Sequence, residues 1–392
     1  MTCCREWLQR ENHNHPVGFE AASEEYVMND CSKIRAGEWV QVKSKNQILK
    51  TLDNSGQLER MPFMPEMFQY CGQRFRVFKR AHKTCDPPNG LEGRRVTNAL
   101  HLADVRCDGQ AHGGCQAGCL IFWKDAWLER VNDVVEPPPI FEIAKSQPNA
   151  KQCDTVIGCT EQEVWAGTLA SGNETNPAEV MYVCQSTNLS KATHPLCWWD
   201  LRQYIEDYTS GNVRLSQILA AFLFFVYSTI ARGGVGVGSA MRWAYDCFQK
   251  LRGGVVYPIR VGEIPKGMRT PAAHLNLQIG ELVRVKSYKE ILATLNEISH
   301  NRGMYFDAEA VPFCGGAYEV LRRVEKIIDE KTGRMMNIKN DAIILKGVGC
   351  QARYAQCRRF CPRSIYVYWR EIWLERVTNE GQHSASKASN SP

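Results

Sequence analysis

The stretch CDGQAHGGCQAGC, residues 107–119, returns in altered form as CQARYAQCRRFC at residues 350–361. Each stretch begins 36 residues after the cysteine of a Cys-Gly pair, and in each the last two cysteines are four residues apart. Two groups of four cysteines with nearly the same spacing rarely arise by chance, so the sequence predicts a duplicated cysteine module. The first set is Cys71, Cys107, Cys115 and Cys119, and the second set is Cys314, Cys350, Cys357 and Cys361.

The duplication extends well beyond the cysteines. Residues 37–107 match residues 280–350 at a constant offset, so that GEWVQVKS opens the first copy and GELVRVKS opens the second. The first copy closes on FWKDAWLERV and the second on YWREIWLERV. Alternating apolar and polar residues indicate strands, and a short amphipathic segment after the first strand indicates a helix. We therefore expect the first copy, residues 37–131, and the second copy, residues 280–377, to share one fold.

The opening Gly-Glu-x-Val-x-Val-Lys of both copies resembles the first strand of small SH3-like barrels. The resemblance implies an α+β protein in which two homologous SH3-like β-barrel modules flank a middle region that is mainly helical in its second half.

Trp127 and Trp373 occupy matching places in the closing segments and are predicted to be buried. The predicted parts are an N-terminal extension (1–34), the first cysteine module (35–135), the middle region (136–275), the second cysteine module (276–380) and a disordered tail (381–392).

Composition limits the possible classes of protein. The chain has 392 residues, 17 cysteines and a formal net charge of +6. Its first residues contain no apolar segment of the kind found in secretory signals, which favours a cytoplasmic location. In that reducing compartment, thiols serve as metal ligands or as small buried hydrophobes rather than as disulfides. The mild positive charge allows an anionic partner without requiring one.

Four thiolates that converge on one point form a usual shell for structural zinc, so the sequence predicts two zinc ions, one for each set. The spacing differs from the C-x₂-C pairs of common zinc sites. An iron–sulfur cluster also takes four thiolates and is the alternative cofactor. A third interpretation is that the cysteines are core thiols without a metal. His112 lies inside the first stretch, and we expect it to be exposed, with metal ligation as the alternative.

The second cysteine stretch is basic and interleaved with aromatic residues, which favours an anionic partner such as nucleic acid. The alternative is a solvated basic face. The arginines concerned are Arg353, Arg358, Arg359 and Arg363.

The middle region offers weaker signals for catalysis. His194 with Asp200 and either Cys184 or Cys197 is a candidate for a Cys/His nucleophilic pair, and Trp199 is a further candidate in the same cleft. The region also contains an apolar run from Leu215 to Ala231. We expect a helix buried by the rest of the protein, because the run is short for a bilayer span. A contact of Ile218 to Ala231 with a protein, a second copy of the chain or a membrane surface is the alternative.

Three functions remain open from the sequence. The first is a binding or scaffold protein whose metals stabilise its modules. The second is a metal-stabilised enzyme with a site in the middle region or at its junction with the modules. The third is nucleic-acid binding through the basic second module.

Overall fold

The computed structural model describes residues 33–89, 92–131, 158–170, 180–233, 236–355 and 357–377. Nearly all of the predicted N-terminal extension (1–34), the start of the predicted middle region (136–157) and the predicted tail (381–392) lie outside these residues. The described chain is a mixed α+β fold whose strand pairs are mostly antiparallel, in agreement with the predicted fold class.

The elements follow the repeat. In the first copy, helix α1 (Lys45–Leu49) follows strand β1 (Trp39–Val42), and it begins at Ser44, whose hydroxyl accepts a hydrogen bond from a backbone N–H of the first turn. The other strands are β2 (Gln57–Leu58), β3 (Met61–Pro62), β4 (Arg74–Arg80), β5 (Lys83–Asp86), β6 (Glu92–Arg95), β7 (Ala99–Leu102), β8 (Trp123–Lys124) and β9 (Leu128–Arg130). Short 3₁₀ helices span Pro65–Tyr70, Pro87–Asn89 and Asp125–Trp127.

The middle region and the second copy complete the described chain. The middle region contains α2 (Glu161–Ala166), β10 (His194–Pro195), α3 (Arg202–Thr209), α4 (Leu215–Arg232) and α5 (Gly238–Arg252). The second copy contains β11 (Leu282–Val285), α6 (Tyr288–Leu292), β12 (His300–Asn301), β13 (Met304–Tyr305), β14 (Ala317–Arg323), β15 (Lys326–Ile328), β16 (Met335–Asn337), β17 (Ile343–Gly349), β18 (Tyr366–Trp369) and β19 (Leu374–Arg376). Its 3₁₀ helices span Ala308–Phe313 and Glu371–Trp373.

Each copy builds a five-stranded antiparallel sheet with the same strand order. The order is β8-β7-β4-β1-β9 in the first copy and β18-β17-β14-β11-β19 in the second. The strand register even shifts at matching places, between Val77 and Lys79 and between Val320 and Arg322. The predicted equality of strand order is therefore confirmed. Such a sheet corresponds to half a barrel, and the finer prediction of SH3-like modules is not confirmed.

Matching tryptophans form the centre of each core. Trp127 and Trp373 are fully buried, and each indole N–H donates to a threonine hydroxyl, Thr51 at 3.1 Å and Thr294 at 2.9 Å. A buried indole needs such a partner, because an unpaired N–H would be costly in an apolar core. The prediction that these two tryptophans occupy equivalent buried places is confirmed.

The two copies also exchange loops. We name residues 107–119 the first cysteine loop and residues 350–365 the second cysteine loop. The first loop packs on β15 of the second copy, where the backbone N–H of Ile328 donates to Cys115 Sγ at 3.4 Å. The second loop packs on β5 of the first copy, where the backbone N–H of Cys85 donates to the sulfur of Cys361. Because Ile328 and Cys85 hold matching positions, the exchange is reciprocal, as at a symmetric dimer interface.

One buried histidine distinguishes the two sheets. His101 in β7 is fully buried, its Nδ1 lies 2.9 Å from the carbonyl oxygen of Ile121, and burial lowers its pKa to about 4. The second copy has Ile344 at the matching position in β17.

His101 should make the fold sensitive to acid. The unfolded chain takes up a proton near pH 6.5, whereas the folded chain resists until about pH 4, so stability should fall as the pH drops through this window, by up to about 1.4 kcal/mol per pH unit from this group. His101→Ile, which copies the second sheet, should give a flatter dependence. Urea unfolding of both proteins from pH 7 to pH 4.5 measures the pH dependence of the free energy of unfolding. Comparing the two proteins isolates the contribution of His101, because they share the same carboxylates. Equal slopes for the two proteins would contradict the assignment.

Candidate metal centre

A buried glutamate holds each cysteine loop in place. Glu66 is in the 3₁₀ helix Pro65–Tyr70, and its Oε1 accepts the backbone N–H of Ala111 at 3.0 Å. Glu309 holds the matching place in the second copy and accepts the backbone N–H of Tyr354 at 2.6 Å. The sequence alignment pairs these glutamates, but it carries no signal of their role, because the loop atoms that they bind are backbone groups.

His112 is buried, so the expectation of an exposed side chain is wrong. Its Nδ1 lies 2.6 Å from Glu66 Oε1, and its Nε2 lies 3.1 Å from the carbonyl oxygen of Val183. Both ring nitrogens therefore face oxygen atoms, and the histidine compensates the buried carboxylate. Together with Cys107 Sγ, these two side chains bring three ligand-type atoms within 4.8 Å of one another. Glu66 Oε2 is buried and has no hydrogen-bond partner among the described residues.

Next to this carboxylate lies a small cavity of about 40 Å³, which we name the thiol pocket. Its volume accommodates roughly three water-sized bodies. Four cysteines line it, from the first cysteine loop and from the middle region: Cys107, Cys115, Cys119 and Cys184. Three belong to the first predicted set. The fourth place is filled by Cys184, a candidate nucleophile in the sequence, and not by Cys71.

Neither predicted set converges on a single point. Across the described residues, no three of the eight predicted sulfurs lie within 4.8 Å of one another. A tetrahedral zinc ion with Zn–S bonds near 2.3 Å would hold them about 3.8 Å apart. Metal ligation by the full sets therefore stays a prediction.

Burial keeps three thiols of the pocket protonated, those of Cys107, Cys119 and Cys184. Burial and the charges of Glu66 and Cys119 raise the pKa of Cys107, and burial also raises the pKa of Cys119. Burial raises the pKa of Cys184 to about 12. These groups are neutral thiols at pH 7 in the absence of a cation, and a metal that bound them would displace their protons.

The pocket supplies donors and positive charge to its sulfurs. Ser186 Oγ lies 3.6 Å from Cys119 Sγ and also accepts a hydrogen bond from Arg363 Nη2 at 2.9 Å. Arg363 comes from the second cysteine loop, is almost fully buried and forms an ion pair with Glu330 at 2.6 Å. The second copy thus contributes an N–H donor at Ile328 and a guanidinium behind the pocket of the first copy. Such outer contacts stabilise thiolates bound to a metal.

The second copy does not repeat the thiol pocket. The backbone N–H of Cys107 donates to the carbonyl of Cys119, whereas the N–H of Cys350 donates to the carbonyl of Ile365. Backbone pairing thus shows that the residue of the second copy that corresponds to Cys119 is Ile365, and not Cys361. The second loop is three residues longer than the first between these paired positions. The spacing of four residues therefore aligned Cys119 with Cys361 in the sequence, although the two cysteines are not structurally equivalent.

A separate thiol group lies where the second loop meets β5. Cys85 and Cys361 are buried together, with Cys350 packed against them. Burial opposes ionisation of Cys361, but hydrogen bonds from the Cys85 thiol and from the backbone N–H of Arg363 lower its pKa to about 6. These three thiols include only two members of the second predicted set.

The predicted basic face is not a solvated surface. Arg358 is buried against Asp307, and Arg363 is buried against Glu330. Arg359 is also buried, with its guanidinium carbon 5.2 Å from the ring centre of Phe225. Arg353 alone of the four is exposed.

The predicted catalytic residues are dispersed. His194 is exposed in β10, and Asp200 forms an ion pair with the exposed Arg202 at 3.0 Å. Cys184 instead faces the thiol pocket, and Trp199 is half exposed. Among the described residues, no hydrogen bond joins His194 or Asp200 to Cys184.

Helix α4 is less covered than expected. It is long and apolar enough to cross a membrane, yet 22% of it is buried, so the prediction of a helix covered on several sides is wrong. The helix packs against α3, α5 and the second cysteine loop. Five exposed apolar side chains form a stripe at helical spacing along it: Leu215, Leu219, Leu223, Val226 and Ile230.

Comparison of the chain with protein-family models, curated proteins and solved structures gives no match. The geometry and chemistry of its own residues therefore carry the functional proposal.

The first cysteine loop depends on Gly109. Its φ is +73°, and a Cβ added there would collide with the carbonyl oxygen of Cys115 and lie 2.8 Å from the backbone nitrogen of the same residue. Gly72 has a similar φ of +77° but open space around it. Gly72→Ala should cost about 1 kcal/mol from backbone strain alone, and Gly109→Ala should cost more than about 3 kcal/mol because the loop backbone must also move. Denaturant unfolding of both variants tests this difference, and equal losses would contradict it.

Proposed function

We propose that this protein binds a metal centre in the thiol pocket, through Cys107, Cys115, Cys119 and Cys184. The observation that supports the proposal is the convergence of four thiols on one small, largely apolar cavity. Four partly buried thiols without a shared partner would gain little from this arrangement, whereas soft metals prefer such a ligand set.

The spacing of the sulfurs favours an iron–sulfur cluster over a single zinc ion. One ion draws its sulfurs to about 3.8 Å, but no three sulfurs here lie within 4.8 Å. In a four-iron cluster, each thiolate would bind a different iron atom, so the sulfurs would lie farther apart than around one ion. A cluster with four thiolates is also an anion, which suits the buried guanidinium of Arg363 and the N–H of Ile328. Zinc is the competing occupant.

The centre would join the copies as well as occupy the first one. The thiol pocket receives Ile328 and Glu330 from the second copy, so a metal held there stabilises the contact between them. This role agrees with a binding or scaffold protein in the cytoplasm whose metal is structural, and an iron–sulfur centre would add the capacity for electron transfer.

Single Cys→Ser variants distinguish metal binding in the thiol pocket from metal binding by the predicted first set. The full chain is purified without oxygen, and its iron, zinc, sulfide and visible absorption are measured. Cys184→Ser should lose most of the bound metal, because it removes one of four ligands. Cys71→Ser should keep the metal, since Cys71 is not part of the pocket.

The matched control is Cys247→Ser, an exposed thiol on α5 that should leave the metal content unchanged. Colourless protein with one zinc ion that is lost in Cys184→Ser would place zinc in the pocket. Metal that is lost in Cys71→Ser but kept in Cys184→Ser, or wild-type protein without metal, would refute the proposal.

A further inference from the structure

A much larger cavity lies on the other side of the second cysteine loop. It has a volume of about 830 Å³ and is bounded by α4, α5, the end of β4 and the second cysteine loop. We name it the apolar cleft, because aromatic and aliphatic side chains form most of its wall. The main ones are Phe78, Leu223, Phe224, Tyr245, Phe248 and Phe360. This volume is within the range of sites that bind small molecules.

Two positively charged side chains line this otherwise largely apolar cleft. Lys79 from β4 and Arg353 from the second cysteine loop both line the cleft, and its lining contains no aspartate or glutamate. Neither side chain forms an ion pair within the part of the chain that the structure describes. Burial lowers the pKa of Lys79, and the charge of Arg353 contributes in the same direction. An anion between the two would remove this repulsion.

A polar atom in the same wall also lacks a partner. Oε1 of Gln351, the neighbour of Arg353, is buried and accepts no hydrogen bond from the described residues. Since the amide can rotate, Gln351 can offer either its oxygen or its NH₂ group to a bound head group. Gln351 therefore adds a hydrogen-bonding group to the same cleft as the two cations.

We propose that the apolar cleft binds a single-chain anionic lipid of the fatty-acid type. The chain would lie against the aromatic side chains of α4 and α5, and the carboxylate would lie between Lys79 and Arg353. A small polar anion would leave the apolar wall exposed to water, and a neutral hydrocarbon would leave the two cations unpaired. The concave shape favours one enclosed molecule over the flat surface of a membrane.

Two matched ligands separate the contributions of the head group and the chain. Dodecanoate and dodecanol have the same chain, and only dodecanoate carries a charge. Calorimetry or displacement of a fluorescent fatty acid measures their binding to the full chain. We expect saturable binding of dodecanoate, and weaker binding of dodecanol.

Three variants locate the site. Lys79→Gln combined with Arg353→Gln should weaken dodecanoate binding by at least about 10-fold, because a hydrogen bond to a charged group contributes roughly 1.5–3 kcal/mol, and should leave dodecanol binding unchanged. Ala220→Trp, on the cleft side of α4, should abolish the binding of both ligands by filling the cavity. Lys250→Gln, an exposed cation on α5 outside the cleft, is the matched control and should have no effect.

Several results would overturn the proposal. They are the absence of saturable dodecanoate binding, binding that Ala220→Trp leaves intact, and an equal loss in Lys250→Gln. Binding to anionic vesicles that Ala220→Trp does not reduce would indicate a membrane-surface contact instead. Because Ala220 is exposed, its variant should fold, which an unfolding curve checks, and Ala244→Trp on the facing helix fills the same cavity as a second test.

Discussion

Two buried carboxylates position both cysteine loops, and the rest of the structure depends on them. Glu66 and Glu309 are less than one-tenth exposed, and each accepts backbone N–H groups from the loop of its own copy. A buried carboxylate is costly unless it is satisfied, so its need for donors fixes the path of the loop. The loops can then reach across and pack on β5 and β15 of the opposite copy.

From this shared frame the two copies diverge in chemistry. The first copy compensates its glutamate with His112, leaves Glu66 Oε2 free of hydrogen bonds and gathers four thiols beside it. The second copy has Arg358 close to Glu309, paired with Asp307. It also places Ile365 where the first copy has Cys119. Duplication thus gives one copy that gathers the thiols of the pocket and another that contributes arginine and backbone donors to the same pocket.

Local and repeated features of the fold could be predicted from the sequence. The matching strands, the two buried tryptophans and the α+β class all follow from periodicity and from the alignment of the copies. The site was predictable in part, because three of the four pocket thiols lie within one short loop. Cys184 reaches the pocket through tertiary packing, for which a sequence pattern has no signal. His112 and α4 were misjudged because burial depends on what packs against a segment.

The alignment of cysteines shows how spacing can mislead. The interval of four residues occurs in both copies, but the second loop holds three additional residues before its strand resumes at Tyr366. Backbone hydrogen bonds determine structural equivalence, and they pair Cys115 with Cys361 by their shared contact to the opposite copy. An alignment by identical residues alone could not distinguish these pairings.

X-ray absorption at the metal edge of the purified protein is the most direct test for an iron–sulfur cluster in the thiol pocket, because it identifies the element and its neighbouring atoms together. A cluster in the thiol pocket should give an iron edge, a first shell of sulfur alone and a second shell of iron. A first shell that contains nitrogen or oxygen from His112 or Glu66, or a single metal atom without a metal neighbour, would contradict it.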